Sequence, residues 1–85
     1  MPHVLHLIKD RTNRVALDTV RRQAGDPSVT LSVVLLQEAT RLTDPLPGQV
    51  FRLAEGPDDD ASPYPAIDHS RLLDLIFSAD TVVSW

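Results

Sequence analysis

The 85-residue sequence contains no cysteine. This absence excludes disulfides, cysteine-ligated metal sites and a thiol nucleophile together. Small secreted folds usually depend on disulfides, so we expect a cytoplasmic protein.

Long apolar runs and an excess of positive charge are also missing. No run approaches the roughly 20 residues that span a bilayer, and the opening apolar stretch is too short for a signal peptide. The net charge is −4, which argues against nucleic-acid binding as a main role. We therefore predict no membrane partner and no strong, direct contact with nucleic acid.

Motifs for cofactors, metals and catalysis are equally sparse. The three glycines form neither a GxGxxG pattern nor a P-loop. Aspartates 58–60 lack the spaced ligands of an EF-hand and predict a solvated loop. No segment resembles a nucleophile elbow. We predict no catalytic residue, no metal and no cofactor.

The length and a 42% hydrophobic content predict one globular domain over residues 1–85. A core of this size is near the lower limit for independent stability, so a partner subunit would add useful burial. Four segments have strand-like composition: residues 4–8, 29–37, 49–55 and 81–85. The second is nearly all apolar, as in a strand buried on both faces, whereas the third alternates and predicts one wetter face.

Two helices are predicted between these strands. Thr12 or Asn13 caps the first, which ends at Gly25, and Asp68 caps the second over residues 69–79. The expected core face of the first comprises Val15, Ala16, Val20 and Ala24, with Leu17 beside them. That of the second comprises Leu72, Leu73, Ile76 and Phe77, with Leu75 at its margin.

The resulting order, β-α-β-β-α-β, predicts an α/β fold: a four-stranded, mostly parallel sheet flanked by two main helices, one on each face or both flanking. We expect the first strand inside the sheet, with the second strand on one side and the third and fourth on the other.

Several polar and aromatic residues fall where parallel strands end, which is where loops build sites. Trp85 is predicted either to cover the core of its own monomer or to meet another subunit. Gln37 and Glu38 follow the central strand and either bind a ligand or form a polar strand exit. Lys9, Arg11, Thr12 and Asn13 are candidate contacts for an anion at the helix start, the alternative being a capped helix behind a solvated loop.

Two histidines lie on the first predicted strand. His3 and His6 are three residues apart and therefore point to opposite faces, so they cannot easily share a metal. We expect His6 to pack in or under the sheet, and His3 and His69 to be ordinary polar positions.

Four segments resemble the DsrH/TusB family, a branch of the DsrE-like sulfur-relay proteins: "HVLHLI", "VVLLQEAT", "VFRLAEG" and "IDHSRLLDLIFSADTVVSW". The closing Asp-x-Val-Val-Ser-Trp is the most specific of them. Two departures fall near the strand-end edge: "QEAT" replaces the usual Gln-Asp-Gly-Val, and the segment over residues 39–48 is short.

The resemblance implies a DsrE-like fold and a role in sulfur relay, such as tRNA thiolation or sulfur oxidation. Persulfide transfer needs a thiolate, which this chain lacks. The resemblance therefore implies a non-catalytic subunit or adaptor that forms an oligomer. Its expected partners are cysteine-bearing DsrE-like relatives or a second copy of the chain. The alternative is a stand-alone homodimer that binds a small ligand or anion at the carboxyl edge of the sheet.

Overall fold

The computed structural model describes residues 2–10, 12–37, 39, 45–54 and 64–85, and these form one parallel sheet with a helix on each face. The elements in chain order are β1 (His3–Ile8), α1 (Arg14–Ala24), β2 (Thr30–Leu35), β3 (Gln49–Leu53), β4 (Ala66–Ile67), α2 (His69–Ser78) and β5 (Thr81–Ser84). All four strand pairings are parallel. The predicted α/β class, the parallel sheet and the two helices are confirmed.

The prediction of four strands is wrong, because the described residues form five. The additional strand, β4, has only two residues and pairs with the end of β3. It directly follows Pro65, in a stretch too short to show any periodic pattern. Such a short strand forms because it pairs with β3, and its own composition does not predict it.

The predicted strand order is also wrong in one respect, since the sheet runs β4-β3-β2-β1-β5. β3 pairs with β2 and does not lie beyond β1. β2 is the most apolar strand, and its last five residues are all buried, so it takes the middle position with a neighbour on either side. The expectation that the last strand runs parallel beside β1 is confirmed.

Helix α1 begins where Asn13 caps the backbone N–H of Ala16, with 3.1 Å between Oδ1 and N. Arginines occupy its last turn, where positive charge suits the helix dipole. Its buried face comprises Ala16, Leu17 and Val20. Val15, predicted in that face, is 65% exposed, because the helix turns Leu17 towards the sheet in its place.

Helix α2 begins at Asp68, whose Oδ1 accepts the Arg71 N–H at 2.8 Å. The buried face of α2 also differs from the predicted one. Leu75, expected at the margin, is the buried residue of this helix, whereas Leu73 and Phe77 are 52% and 83% exposed. The sheet covers only part of a wide apolar stripe, and the remaining part of the stripe faces outward.

Two apolar clusters sandwich the sheet. The first joins α1 to Val33 and Leu35 of β2, and the second joins α2 to Leu5 and Val34.

The wetter face predicted for β3 is not observed. Arg52 is only 9% exposed, and its Nε donates to the Tyr64 carbonyl oxygen at 3.1 Å. Within the described ranges, neither helix has the length and apolar character needed to cross a membrane.

The two described glycines of the connecting turns should respond differently to alanine. Gly48 has φ +85°, and a Cβ there would lie 3.0 Å from the Leu31 carbonyl oxygen. Gly48→Ala should therefore cost about 1–3 kcal/mol of unfolding free energy. Gly25 has φ −78° and a 3.5 Å clearance, so Gly25→Ala should be neutral or stabilise by up to about 1 kcal/mol. Urea unfolding measures both, and equal effects would contradict the assigned turn geometry.

Candidate functional site at the carboxyl edge of the sheet

The carboxyl ends of β1, β2 and β5 meet at one edge of the sheet. Beyond the strands, the Ala39 N–H donates to the Lys9 carbonyl oxygen at 3.1 Å, which brings the chain after β2 against the chain after β1. On the other side of β1, the Trp85 N–H donates to the Leu7 carbonyl oxygen at 2.9 Å. As expected for parallel strands, two connecting segments and Trp85 lie together here.

The Trp85 ring is fixed at this edge by a hydrogen bond to β1. Its indole N–H donates to Nδ1 of His6, with 3.0 Å between Nε1 and Nδ1. The ring planes are 17° apart and the centroids 6.1 Å apart, at the far end of the range for aromatic pairs. The ring is partly buried against the α1-side cluster. Trp85 thus covers the core of its own monomer while keeping part of its surface open.

His6 is fully buried, as predicted, and links the aromatic ring to helix α1. Its Nε2 lies 2.6 Å from Oε1 of Gln23. Because an indole nitrogen can only donate, we assign Nδ1 of His6 as the acceptor and Nε2 as the protonated nitrogen. The neutral imidazole then donates to Gln23 and accepts from Trp85. Both ring nitrogens are satisfied, as burial requires.

Gln37 lies at the same edge, immediately after β2. It is exposed, and its φ of 50° places a non-glycine residue in the left-handed region. Glu38, the other polar residue expected here, lies outside the described residues. The edge therefore presents an amide side chain on a tightly turned backbone.

At the start of α1, side chains of the chain itself accept hydrogen bonds from nearby donors. The Thr12 N–H and Oγ1 both donate to Oδ1 of Asp10, at 2.8 and 2.7 Å, and Asn13 caps the helix. The chain itself therefore supplies acceptors for three donors at this helix start: the Thr12 N–H, the Thr12 hydroxyl and the Ala16 N–H. Lys9 is exposed, and Arg11 lies outside the described residues. The geometry favours the capped helix behind a solvated loop.

Asp26, in the turn after α1, makes the same kind of contact. Its Oδ1 accepts the Ser28 N–H at 2.9 Å and the Ser28 hydroxyl at 2.6 Å. These hydrogen bonds favour the charged carboxylate and lower the pKa of Asp26. Both ends of α1 thus use a side-chain carboxylate of the chain itself as the acceptor of a tight turn.

A second histidine contact lies on the opposite face of the sheet. Nε2 of His3 is 2.7 Å from Oγ of Ser32, a spacing suited to activating a nucleophile. Ser32, however, has no exposed surface, so a substrate cannot reach it. Asp80 accepts the backbone N–H of His3 and not its ring. His69 is exposed at the start of α2. In the described part of the chain, no three acidic or histidine side chains group closely enough to hold a metal.

Comparison with known proteins gave no match to a family model, to a curated protein or to a solved structure. The resemblance to the DsrH/TusB family therefore stays a prediction.

Proposed function

We propose that the protein is a non-catalytic adaptor subunit of a sulfur-relay complex and that it binds its partner through the carboxyl edge of the sheet. The observation that carries the proposal is the Trp85 ring, which is partly exposed yet held in place by the buried His6. Tryptophan is favoured at the centre of protein interfaces. A ring that is already ordered loses little conformational entropy on binding.

The chemistry of the chain supports a role without catalysis. It has no cysteine and so cannot form a persulfide. Its two strand histidines are engaged inside the fold, His6 with Gln23 and Trp85, and His3 with the buried Ser32. What the carboxyl edge offers a partner is a shaped surface, with the indole at β5, Gln37 after β2 and Lys9 after β1.

The proposed partner is a cysteine-bearing DsrE-like relative, the class that the family resemblance implies. Lys9 and Gln37 are exposed beyond the ends of β1 and β2, so the edge offers a partner polar side chains beside the indole, and interfaces combine apolar and polar contacts of this kind. A relative that presents its thiolate to a downstream acceptor would be oriented by this contact. The adaptor would contribute affinity and geometry, and the partner would contribute the sulfur chemistry.

Affinity capture tests the proposal. Tagged protein is incubated with a lysate of its source cells, and bound proteins are identified by mass spectrometry. The wild type should retain a cysteine-bearing DsrE-like protein. Trp85→Ala and the surface change Gln37→Arg should each weaken capture, the first by about 30-fold for a central aromatic anchor. Phe77→Arg, on α2, is the matched control and should capture normally.

Two results would contradict the proposal: no cysteine-bearing relative among the captured proteins, or equal capture by the wild type and both edge variants. If added phosphate then shifted the backbone amide signals of Lys9 and Thr12 in an NMR spectrum, a stand-alone anion-binding protein would explain the carboxyl edge better than an adaptor.

A further inference from the structure

The last turn of helix α1 is joined to the carboxyl edge of the sheet through His6. Gln23 lies in that turn and is half-buried, and its Oε1 is 2.6 Å from Nε2 of His6. The other ring nitrogen, Nδ1, accepts the Trp85 indole N–H at 3.0 Å. Two hydrogen bonds therefore connect a side chain of α1, through a buried ring, to the indole.

The indole can form its bond with only one protonation state of His6. An indole N–H donates and does not accept, so Nδ1 must offer a lone pair and carry no proton. The ring is then neutral, with its single proton on Nε2. A second proton, placed on Nδ1, would face the indole N–H, and the hydrogen bond that holds Trp85 would be lost.

The side chain of Gln23 suits that protonation state. Its carbonyl oxygen accepts the Nε2 proton without carrying a charge. A carboxylate in the same place would accept this proton as well, but it would also favour the doubly protonated ring, because an opposite charge nearby stabilises a cation. The amide therefore satisfies Nε2 and leaves Nδ1 as an acceptor.

The other neighbours of His6 leave the choice of protonation state to this contact. Its register partners on the two adjacent strands are uncharged: Val33 of β2 and Val83 of β5. The charged residues at the end of α1 are exposed: Arg21, Arg22 and Asp26. Water and salt weaken the effect of exposed charges. A charge at position 23, in contact with Nε2, would act on the ring far more strongly.

We infer that Gln23 is a positioning residue for the carboxyl edge. Its uncharged amide keeps His6 singly protonated, so that Nδ1 holds the Trp85 ring in place. The consequence for partner binding rests on the proposed function. The protonation state of the ring is a property of the isolated chain and can be tested without any partner.

NMR of the ¹⁵N-labelled chain at pH 7 tests the inference directly. The wild type should have a proton on Nε2 of His6 and none on Nδ1. Gln23→Glu should have both nitrogens protonated, and protection of its indole proton from exchange should fall about tenfold, since the bond to Nδ1 is lost. Raising the pH should remove the Nδ1 proton of this variant and restore the protection.

Two further variants separate the effect of charge from that of packing. Gln49→Glu makes the same chemical change at an exposed position of β3, so it should leave the signals of His6 and Trp85 unchanged. Gln23→Met removes the acceptor but keeps a similar length and helix propensity. It adds no charge, so His6 should stay singly protonated over the pH range in which Gln23→Glu changes.

Three results would overturn the inference: a proton on Nδ1 in the wild type, a singly protonated ring with full indole protection in Gln23→Glu at pH 7, or equal effects of Gln23→Glu and Gln23→Met. In affinity capture, Gln23→Glu should weaken retention of the partner, by less than Trp85→Ala does. If the NMR results hold and the wild type captures no cysteine-bearing relative, the proposed function fails and the role of Gln23 stands.

Discussion

Replacing His6 with alanine should lower the free energy of unfolding by about 2–4 kcal/mol. The imidazole is fully buried between β1 and α1, so its removal leaves a cavity. It also leaves two polar partners without a bond: the Gln23 side-chain oxygen and the Trp85 indole N–H. Each buried group left unsatisfied costs about 1–3 kcal/mol, and water admitted to the cavity offsets part of that cost.

Urea denaturation followed by the fluorescence of the only tryptophan measures the loss. His69→Ala is the control, since His69 is exposed and its replacement should change stability by less than about 0.5 kcal/mol. The variants should also differ in the native emission of Trp85, which loses its fixed orientation only when His6 is absent. A loss below about 1 kcal/mol for His6→Ala would show that the contact is not part of the folded state.

Leu35→Ala should destabilise the protein by about 2–5 kcal/mol. Leu35 is fully buried at the end of the central strand and packs in the α1-side cluster, so its truncation removes apolar contacts that rigid neighbours cannot replace. The position also supports the carboxyl edge, since the chain turns there into Leu36 and Gln37. Core truncation at this point is therefore expected to loosen the site as well as the fold.

Leu73→Ala makes the same chemical change at a side chain that is 52% exposed. It should cost less than about 1 kcal/mol, because leucine and alanine are both good helix formers. Denaturant unfolding compares the two variants directly. Similar losses at both positions would contradict the assigned burial of β2 and the outward rotation of α2.

The sequence was sufficient to predict the strands with strong composition but not their full order. The opening and closing strands were correctly expected to lie side by side and parallel. β3 was misplaced because the link before it, residues 36–48, has no long helical pattern to indicate the side on which it returns. In the structure β3 pairs with β2, so β2, which is apolar on both faces, lies in the middle of the sheet where the helices cover both of its faces.

Helix faces were predicted less well than helix boundaries. Apolar residues in α2 occur at adjacent positions, as in Leu72-Leu73 and Ile76-Phe77, so the apolar stripe is wider than the strip of sheet that it covers. The periodicity cannot indicate which edge of such a stripe is buried. In the structure the edge of the stripe that contains Leu75 is buried, whereas Leu73 and Phe77 remain exposed.

The candidate site was predicted in its location but not in its central contact. Trp85, Gln37 and Lys9 were expected at the carboxyl edge, where the structure places them. The bond between His6 and Trp85 joins residues 79 positions apart in the chain, and it depends on the register of β1 with β5. The alternation of side chains along a strand could have indicated this contact. His6 pairs with Val83, and Trp85, two residues after Val83, lies on the same face of the sheet as His6.

The indole N–H of Trp85 offers the most direct test of the central claim that His6 fixes this ring at the carboxyl edge. The chain has one tryptophan, so its indole signal is unambiguous in a ¹⁵N NMR spectrum. The account predicts a scalar coupling across the hydrogen bond between the indole nitrogen and Nδ1 of His6, together with slow exchange of the indole proton. An indole proton that exchanges as in an unfolded chain, with no coupling to His6, would contradict it.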